Sequence, residues 1–138
     1  MLDVELVSPE KVLYTGQATF VRARTVGGGE IAFLTGHAPF IGALDIATVK
    51  IVTENGDEQF VAVHGGFVEV SNDQVTILSD VAELEQDIDV HRAEEARTRA
   101  ENELRTDPDD EEAKAALKRA EVRIELAGRT PATSAARH

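Results

Sequence analysis

Residues 46–77 read IATVKIVTENGDEQFVAVHGGFVEVSNDQVTI, and this stretch decides the fold of the first half of the chain. The β-branched run Ile46–Thr53 predicts a strand, and Phe60, Val61 and Val63 predict the strand that returns beside it. Between them, Asn55-Gly56 supplies the pair of positive φ angles that a tight hairpin turn needs. The turn residues 71–74 separate two further apolar segments. The stretch therefore predicts two successive antiparallel hairpins.

The residues before this stretch continue the same pattern. Leu2, Val4 and Leu6 alternate with acidic residues, which is typical of a half-buried strand. Two more strands are expected at residues 12–14 and 19–24, with Gly16 breaking the chain between them. Short strands at close spacing, with no helical pattern among them, predict an antiparallel β sandwich over residues 1–82.

Composition limits the chemistry that the chain can perform. The 138 residues include 26 Asp and Glu against 14 Lys and Arg, a formal net charge of −12, and no Cys. The acidic excess argues against nucleic-acid binding, and the absence of Cys removes thiolate nucleophiles and Cys-rich zinc sites. No apolar run approaches the roughly 18 residues of a spanning helix, so we expect no membrane insertion. We assign no catalytic residue and no metal ligand.

A change in composition marks a second domain at residues 83–128. Residues 83–138 hold 25 charged residues, against 15 in residues 1–82, and are rich in Ala. Alanines recur at spacings of three and four, which predicts two amphipathic helices that form an antiparallel hairpin. We expect Asp107 to cap the second helix with Pro108 at its first position, and Gly128 to end it. Residues 129–138 are expected to be a disordered tail.

The composition of this helical hairpin predicts that it is held weakly. Its inner face is mostly Ala, and each buried methyl contributes only about 0.8 kcal/mol. Ordering a residue costs about 1–2 kcal/mol before hydrogen bonding and packing are counted. We therefore expect the hairpin to detach easily and to change position.

Two short segments leave alternatives open. Gly27-Gly28-Gly29 suggests a phosphate loop but lacks the Lys and the following helix of one, so a flexible connection between strands is favoured. His37, in Gly36-His37-Ala38-Pro39, suggests a metal or catalytic site. It shares no ligand spacing with the other histidines, and a structural or interface role is favoured.

Arginines on both predicted helices suggest a phosphate site. Arg92 and Arg99 share a face of the first helix, as Arg119 and Arg123 do on the second, and guanidinium groups suit phosphate oxygens. The alternative is solvated ion pairing within the helices, of Asp89 with Arg92 and Glu95 with Arg99. Spacing alone favours ion pairing.

Three segments in order resemble the epsilon subunit of bacterial F-type ATP synthases. GEIAFLTGHAP at residues 29–39 resembles the family's GELGILPGHAP, and residues 65–78 resemble its GGFVEV segment and the strand that follows. Residues 87–93, DIDVHRA, resemble the start of its first C-terminal helix. The match spans about residues 2–127. Ala32, Phe33 and Thr35 depart from the first motif, and His64 stands where the family often has a small residue.

The resemblance implies a ten-stranded sandwich followed by a helical hairpin, and a non-catalytic rotor subunit. Such a subunit joins the gamma subunit to the c-ring and couples proton flow to ATP synthesis, at the cytoplasmic face of the bacterial cell membrane. The hairpin in many members extends to the alpha/beta catalytic head and restrains ATP hydrolysis. The competing interpretation is a stand-alone protein-binding sandwich with no nucleotide role.

The resemblance also implies roles for single residues. Glu30 falls where members contact the c-ring, and His37 lies in the segment near gamma. No cofactor is required, but some members bind regulatory ATP on the folded hairpin. The positions that match, or that lie close to, such a site are Glu83, Ile88, Asp89, Arg92, Arg99, Arg119 and Arg123, together with Ala93 of the motif.

Overall fold

The computed structural model describes residues 1–136, and their side chains as far as residue 128. The chain divides into two compact units, Met1–Glu83 and Leu84–His138. The first unit is built of strands and the second of helices, which confirms the predicted fold class.

Strands make up the first unit in a closed, barrel-like sandwich. They are β1 Leu2–Val7, β2 Val12–Thr25, β3 Gly29–Leu34, β4 Phe40–Thr53, β5 Glu58–Ser71, β6 Gln74–Leu78 and β7 Ala82–Leu84. Their order is β1-β6-β5-β4-β2-β3, β7 pairs with β5, and β1 also pairs with β2, which closes the sheet. β1 runs parallel to β6, whereas β4 and β5 form an antiparallel hairpin, as predicted.

The part of the chain that the structure describes holds seven strands rather than ten, because three strands of 14 residues run through positions where shorter strands were expected. Gly16 does not break β2 but pairs with Val4 inside it. A Cβ at Gly16 would lie 2.8 Å from the Tyr14 hydroxyl, so the glycine makes room for that side chain. The expected break at Gly16 was therefore wrong.

The two predicted hairpin turns differ in geometry. Of the two residues Asn55 and Gly56, only Gly56 has a positive φ (87°). Its N–H donates to Thr53 O. Thr53 N–H also donates to Asp57 O, so the three residues 54–56 connect these two positions, and the predicted two-residue turn with two positive φ angles does not form. That pair occurs instead at Asn72 (φ 51°) and Asp73 (φ 62°), in the turn that joins β5 to β6.

The core of the sandwich follows the period-2 alternation that the sequence predicts in β1 and β6, whereas residues 60–63 of β5 are all buried. Leu2, Val4 and Leu6 of β1 are buried, and Phe33 is the largest fully buried side chain. The other large buried side chains of this unit come from four further strands, β2, β4, β5 and β6: Val21, Ile51, Val61, Val63, Val68, Val70, Val75 and Ile77. Alternation along β5 and β6 leaves Phe67 and Leu78 on the outside.

The second unit begins with a 3₁₀ turn, Glu85–Asp87, and continues as α1 Val90–Thr106 and α2 Glu111–Ala136. The helices pack against each other, and α2 also contacts the 3₁₀ turn. Four alanines are buried at seven-residue spacing, which confirms the predicted small-residue faces: Ala93, Ala100, Ala113 and Ala120. Leu126 is also buried on α2, which the spacing of the alanines did not predict.

Both predicted ends of the second helix need correction. Asp110 caps α2, since its carboxylate accepts from Ala113 N–H at 3.0 Å, whereas Asp107 closes α1 and the connecting turn. Pro108 therefore lies in the connecting turn and not at the first position of α2. The sequence offers three acidic residues as possible caps, Asp107, Asp109 and Asp110, and Asp110 is the one that directly precedes α2. α2 continues through Gly128, which therefore does not end it. The expected disordered tail, residues 129–138, lies beyond the last residue whose side chain the structure describes, and it stays a prediction.

Candidate functional site

An exposed apolar surface lies on the outside of the sandwich. Ile41, Phe67 and Leu78 are exposed by 70%, 56% and 48%. Phe67 pairs directly with Leu78 across β5 and β6, and Glu69, two residues along β5, pairs with Ile41. Because alternate residues of a strand share one face, these three side chains form a single surface, called here the outer apolar face.

The loop that carries His37 borders this face. The His37 ring lies edge-on to Phe33, with ring centroids 5.0 Å apart, and also faces Phe40. Its Nδ1 lies 2.6 Å from the Ala38 carbonyl oxygen, and the loop is held by Gly36 N–H donating to Asp73 Oδ1. These contacts support the structural or interface reading of His37. Its predicted contact with a partner stays a prediction.

Glu30 lies at the β2–β3 hairpin between two arginines. Arg24 Nη2 lies 3.2 Å from Glu30 Oε1, and Arg22 Nε lies 4.0 Å from Oε2. Gly27 and Gly28 lie in the turn of this hairpin and Gly29 begins β3, which confirms the predicted strand connection. Sequence analysis missed both arginines, although pairing the strands across the glycines places Arg24 directly opposite Glu30.

The residues of the expected ATP site are divided between the two units. In the first unit, Glu83 lies on β7, and its Oε1 lies 2.9 Å from Nε2 of His64. In the second unit, Ile88 follows the 3₁₀ turn and Ala93 is buried in α1. Asp89 caps α1 by accepting from the backbone N–H of Arg92 at 3.1 Å. The Asp89 carboxylate is thus engaged by the helix backbone.

The four arginines of the expected site lie on two helices that pack together. Arg92 and Arg99 are exposed on α1. On α2, Arg119 Nη2 lies 2.8 Å from Glu112 Oε1, and Arg123 is half-buried and already has an interaction partner.

The ion pairs expected within α1 are not the ones that form. Asp89 binds the backbone of Arg92 rather than its guanidinium, and Glu95 faces His91, with Oε1 and Nε2 3.6 Å apart. Simple pairing along α1 therefore does not account for Arg92 and Arg99.

The described residues offer neither a metal site nor a membrane-spanning helix. Nowhere in them do three or more His, Asp or Glu side chains gather in a way that could hold a metal ion. None of their helices is both long enough and apolar enough to cross a membrane.

Comparison with known proteins identifies the family. Residues 1–85 match the family model of the ATP synthase delta/epsilon chain β-sandwich domain, and residues 86–128 match that of its long α-helix domain. An ATP synthase epsilon chain of Brevibacillus brevis is 50% identical over 75% of this chain and 77% of its own length. That of Halalkalibacterium halodurans is 41% identical over 93% and 98%.

A solved structure confirms the fold independently. A chain of the Euglena gracilis mitochondrial ATP synthase (OSCP/F1/c-ring, rotational state 1) superimposes with a TM-score of 0.76 at 22% identity, over 91% of this chain and 80% of that one. The protein is a β sandwich with a C-terminal helical pair, and it belongs to the delta/epsilon chain family of ATP synthase. It is a non-catalytic subunit, as the resemblance implied.

Proposed function

We propose that this subunit joins the gamma shaft to the c-ring in the rotor of a bacterial F-type ATP synthase, and so couples proton flow to ATP synthesis. In this position it lies at the cytoplasmic face of the cell membrane and is bound only peripherally. The observation that carries the proposal is the outer apolar face, which we take as the surface that docks on gamma.

The physical case for docking rests on exposed apolar area. A large aromatic side chain buries about 150–250 Å² when it is covered, and burial contributes roughly 25 cal/mol per Å². Phe67, Leu78 and Ile41 are neighbours on a rigid sheet, so a partner covers them without ordering a loop. A stable interface of about 1,600 Å² has such an apolar centre with a polar rim, and Glu69 and the His37 loop supply polar groups beside it.

A charge placed at the centre of this face tests the docking. We expect Phe67→Glu in the full-length chain to weaken binding to the gamma subunit of the same complex by about 30-fold or more, the roughly 2 kcal/mol of an interface hot spot. Val26→Glu is the matched control, because Val26 is similarly exposed (63%, against 56% for Phe67) but lies in the β2–β3 turn. Equal binding by the Phe67 variant and the wild type, measured by calorimetry, would overturn the assignment of this face.

The β2–β3 hairpin is proposed as the contact with the c-ring. Glu30 is half-exposed there and is held between Arg22 and Arg24, so the hairpin presents both signs of charge to polar loops. Reversing the charge with Glu30→Lys is expected to loosen the c-ring contact while binding to gamma is kept. Loss of both contacts together would contradict a division of the two partners between two surfaces.

The helical unit is proposed to be the regulatory part. It changes position between a folded hairpin and an extended form, in which basic residues of α2 meet acidic groups of the alpha/beta head. Lys118, Arg119 and Arg123 are the candidates, and each already has a partner in the folded form, so extension exchanges partners rather than exposing bare charges.

The test compares ATP hydrolysis by the whole complex with and without residues 87–138. The proposal expects faster hydrolysis without them. An unchanged rate would remove the regulatory role and leave the coupling role.

We also propose that the folded hairpin binds ATP. The exposed guanidiniums of Arg92 and Arg99 on α1, next to a helix that carries Arg119 and Arg123, support this, because charge-assisted bonds from Arg suit phosphate oxygens. Ile88 and Asp89 of the same unit complete the proposed site, whereas Glu83 belongs to the sandwich unit and its part in ATP binding stays a prediction from the resemblance.

Calorimetric titration with ATP tests this site in the isolated full-length protein. A bond to a charged group contributes about 1.5–3 kcal/mol, so we expect Arg92→Ala to raise the Kd about tenfold or more. Arg105→Ala is the matched control, since Arg105 lies in the last turn of α1 and contacts Asn102. Absence of saturable binding, or equal losses in the two variants, would exclude the site.

A further inference from the structure

The segment that follows β6 is held on the sandwich at its start. Ser79 is a buried polar residue, 3% exposed, and its backbone N–H donates to Val7 O at 3.0 Å. Its hydroxyl lies 2.7 Å from Gly65 O and 2.9 Å from Val81 O, within reach of both carbonyl groups. The segment then ends as β7, a strand of only three residues that pairs with β5. A strand this short makes few backbone hydrogen bonds, so it opens easily unless side chains hold it.

His64 of β5 holds this segment at two further points. Its backbone N–H donates to Val81 O at 3.0 Å, and its Nε2 lies 2.9 Å from Glu83 Oε1. Because an ionised carboxylate only accepts, Nε2 carries the proton and donates it to this bond. The two side chains are only 2% and 25% exposed, so water weakens the bond little. A bond to a carboxylate in such surroundings is among the stronger hydrogen bonds of a protein.

The other ring nitrogen indicates what the histidine is for. Nδ1 of His64 is buried and has no hydrogen-bond partner among the described residues, which destabilises the fold. An apolar side chain at this position would be buried without that cost. The hydrogen bond that the described structure gives the ring is the one to Glu83, so we take that bond as the reason for a polar ring here.

The bond to Glu83 lies at the end of the sandwich unit. The first compact unit ends at Glu83, β7 ends at Leu84, and α1 begins at Val90. Residues 85–89 lie between β7 and α1, and their 3₁₀ turn is closed by a long hydrogen bond, 3.5 Å from Ile88 N to Glu85 O. If β7 is fixed, a change in position of the helical unit has to turn the chain within these five residues.

We propose that His64 is a positioning residue: it fastens β7 to β5 through Glu83 and thereby sets the pivot of the helical unit at residues 85–89. Without the bond, residues 82–84 come free, and the connection to α1 lengthens from five residues to eight. The fastening concerns the sandwich alone. The pivot rests on the proposed function, because it requires that the helical unit change position.

Amide hydrogen exchange in the full-length protein, followed by NMR, tests the fastening without any partner. His64→Leu removes the ring but keeps the backbone, so the amide of residue 64 still reports the bond to Val81 O. We expect this amide and those of β7 to exchange about tenfold faster or more, the effect of losing a bond to a charged group. The amides of β1 and β6 are expected to keep their rates, because the opening is local.

Two further variants sharpen this comparison. Glu83→Gln keeps a neutral acceptor and is expected to give a smaller acceleration at the same amides. It also decides the question where His64→Leu does not fold, since the Glu83 side chain is partly exposed. Asp80→Asn is the matched control, because it removes an exposed carboxylate from the same segment, and it is expected to exchange as the wild type does.

Two results would overturn the fastening. One is unchanged exchange at residue 64 and in β7 when either partner of the bond is replaced. The other is a parallel acceleration in β1 and β6, which would make His64 an ordinary core residue.

ATP hydrolysis by the whole complex tests the pivot. The effective concentration of a tethered group falls roughly as the −3/2 power of tether length, so eight residues in place of five lower that of α2 at the catalytic head about twofold. We expect His64→Leu to weaken the restraint on hydrolysis by about this factor and Asp80→Asn to leave it unchanged. Equal restraint in the two variants, in a complex that responds to removal of residues 87–138, would overturn the pivot. A complex that does not respond to that removal contradicts the regulatory role instead, and the exchange result then decides the fastening by itself.

Discussion

Gly66 is the position where the structure predicts the largest effect of a single methyl group. It has a φ of +124°, and a Cβ there would overlap the carbonyl oxygen of Leu78 and lie 3.0 Å from the Leu78 carbonyl carbon and from Ser79 Cα. These atoms are backbone, so no side-chain rotation relieves the overlap. Gly66→Ala therefore forces β5 away from β6, at the edge of the outer apolar face.

The magnitude follows from two additive costs. A non-glycine residue in such a backbone conformation costs about 1–3 kcal/mol. Overpacking against a fixed neighbour costs about 1–3 kcal/mol more. We expect Gly66→Ala to lower the free energy of unfolding of the sandwich by about 4 kcal/mol, a large part of the roughly 5–15 kcal/mol that holds a domain together.

The matched control is Gly56→Ala. Gly56 has φ +87° in the same unit, but a Cβ there meets nothing within 4 Å, so it carries the strain without the overlap. Urea unfolding followed by Tyr fluorescence suits the comparison, because Tyr14 is the only Tyr, lies in β2, and no Trp is present. Equal losses for the two variants, or a loss below about 1 kcal/mol at Gly66, would refute the reasoning.

Three further substitutions test the folding account. Asp110→Ala removes the cap of α2 and is expected to lower the stability of the helical unit by about 1 kcal/mol, with Asp109→Ala as the control; circular dichroism at rising temperature measures both, and equal effects would contradict the cap assignment. Gly128→Ala fills open space in a helix and is expected to add about 0.5–1 kcal/mol, whereas a lowered melting temperature would speak against a helix there. Phe33→Ala empties the centre of the sandwich and is expected to cost about 3–5 kcal/mol in urea unfolding; a loss under 1 kcal/mol would mean that Phe33 is not a core residue.

Much of the fold could be predicted because local pattern and tertiary structure agree. The alternation of Leu2, Val4 and Leu6 and the spacing of Ala93 and Ala100 each repeat with the period of the element they form. The predicted break at Gly16 was wrong because a glycine within a strand pattern can either interrupt the strand or make room for a neighbouring side chain. At that position it makes room for Tyr14, which only the folded strand reveals.

The candidate surfaces were harder to predict because they depend on pairing between distant strands. The outer apolar face exists because Phe67 meets Leu78 across β5 and β6, and single exposed apolar residues are ordinary in a sequence. The bond between His64 and Glu83 joins residues 19 apart and leaves Nδ1 as a buried acceptor, which no spacing rule indicates. The family resemblance gave positions for site residues but not the partners that hold them.

The central claim is that this chain works as a part of the rotor rather than alone, and purification from its own membranes tests that claim most directly. The full-length chain, with an affinity tag, is recovered under mild detergent, and the accompanying subunits are identified by mass spectrometry. The account predicts gamma in equal amount, together with the c-ring and the alpha/beta head. Recovery of the wild-type chain without gamma would contradict it.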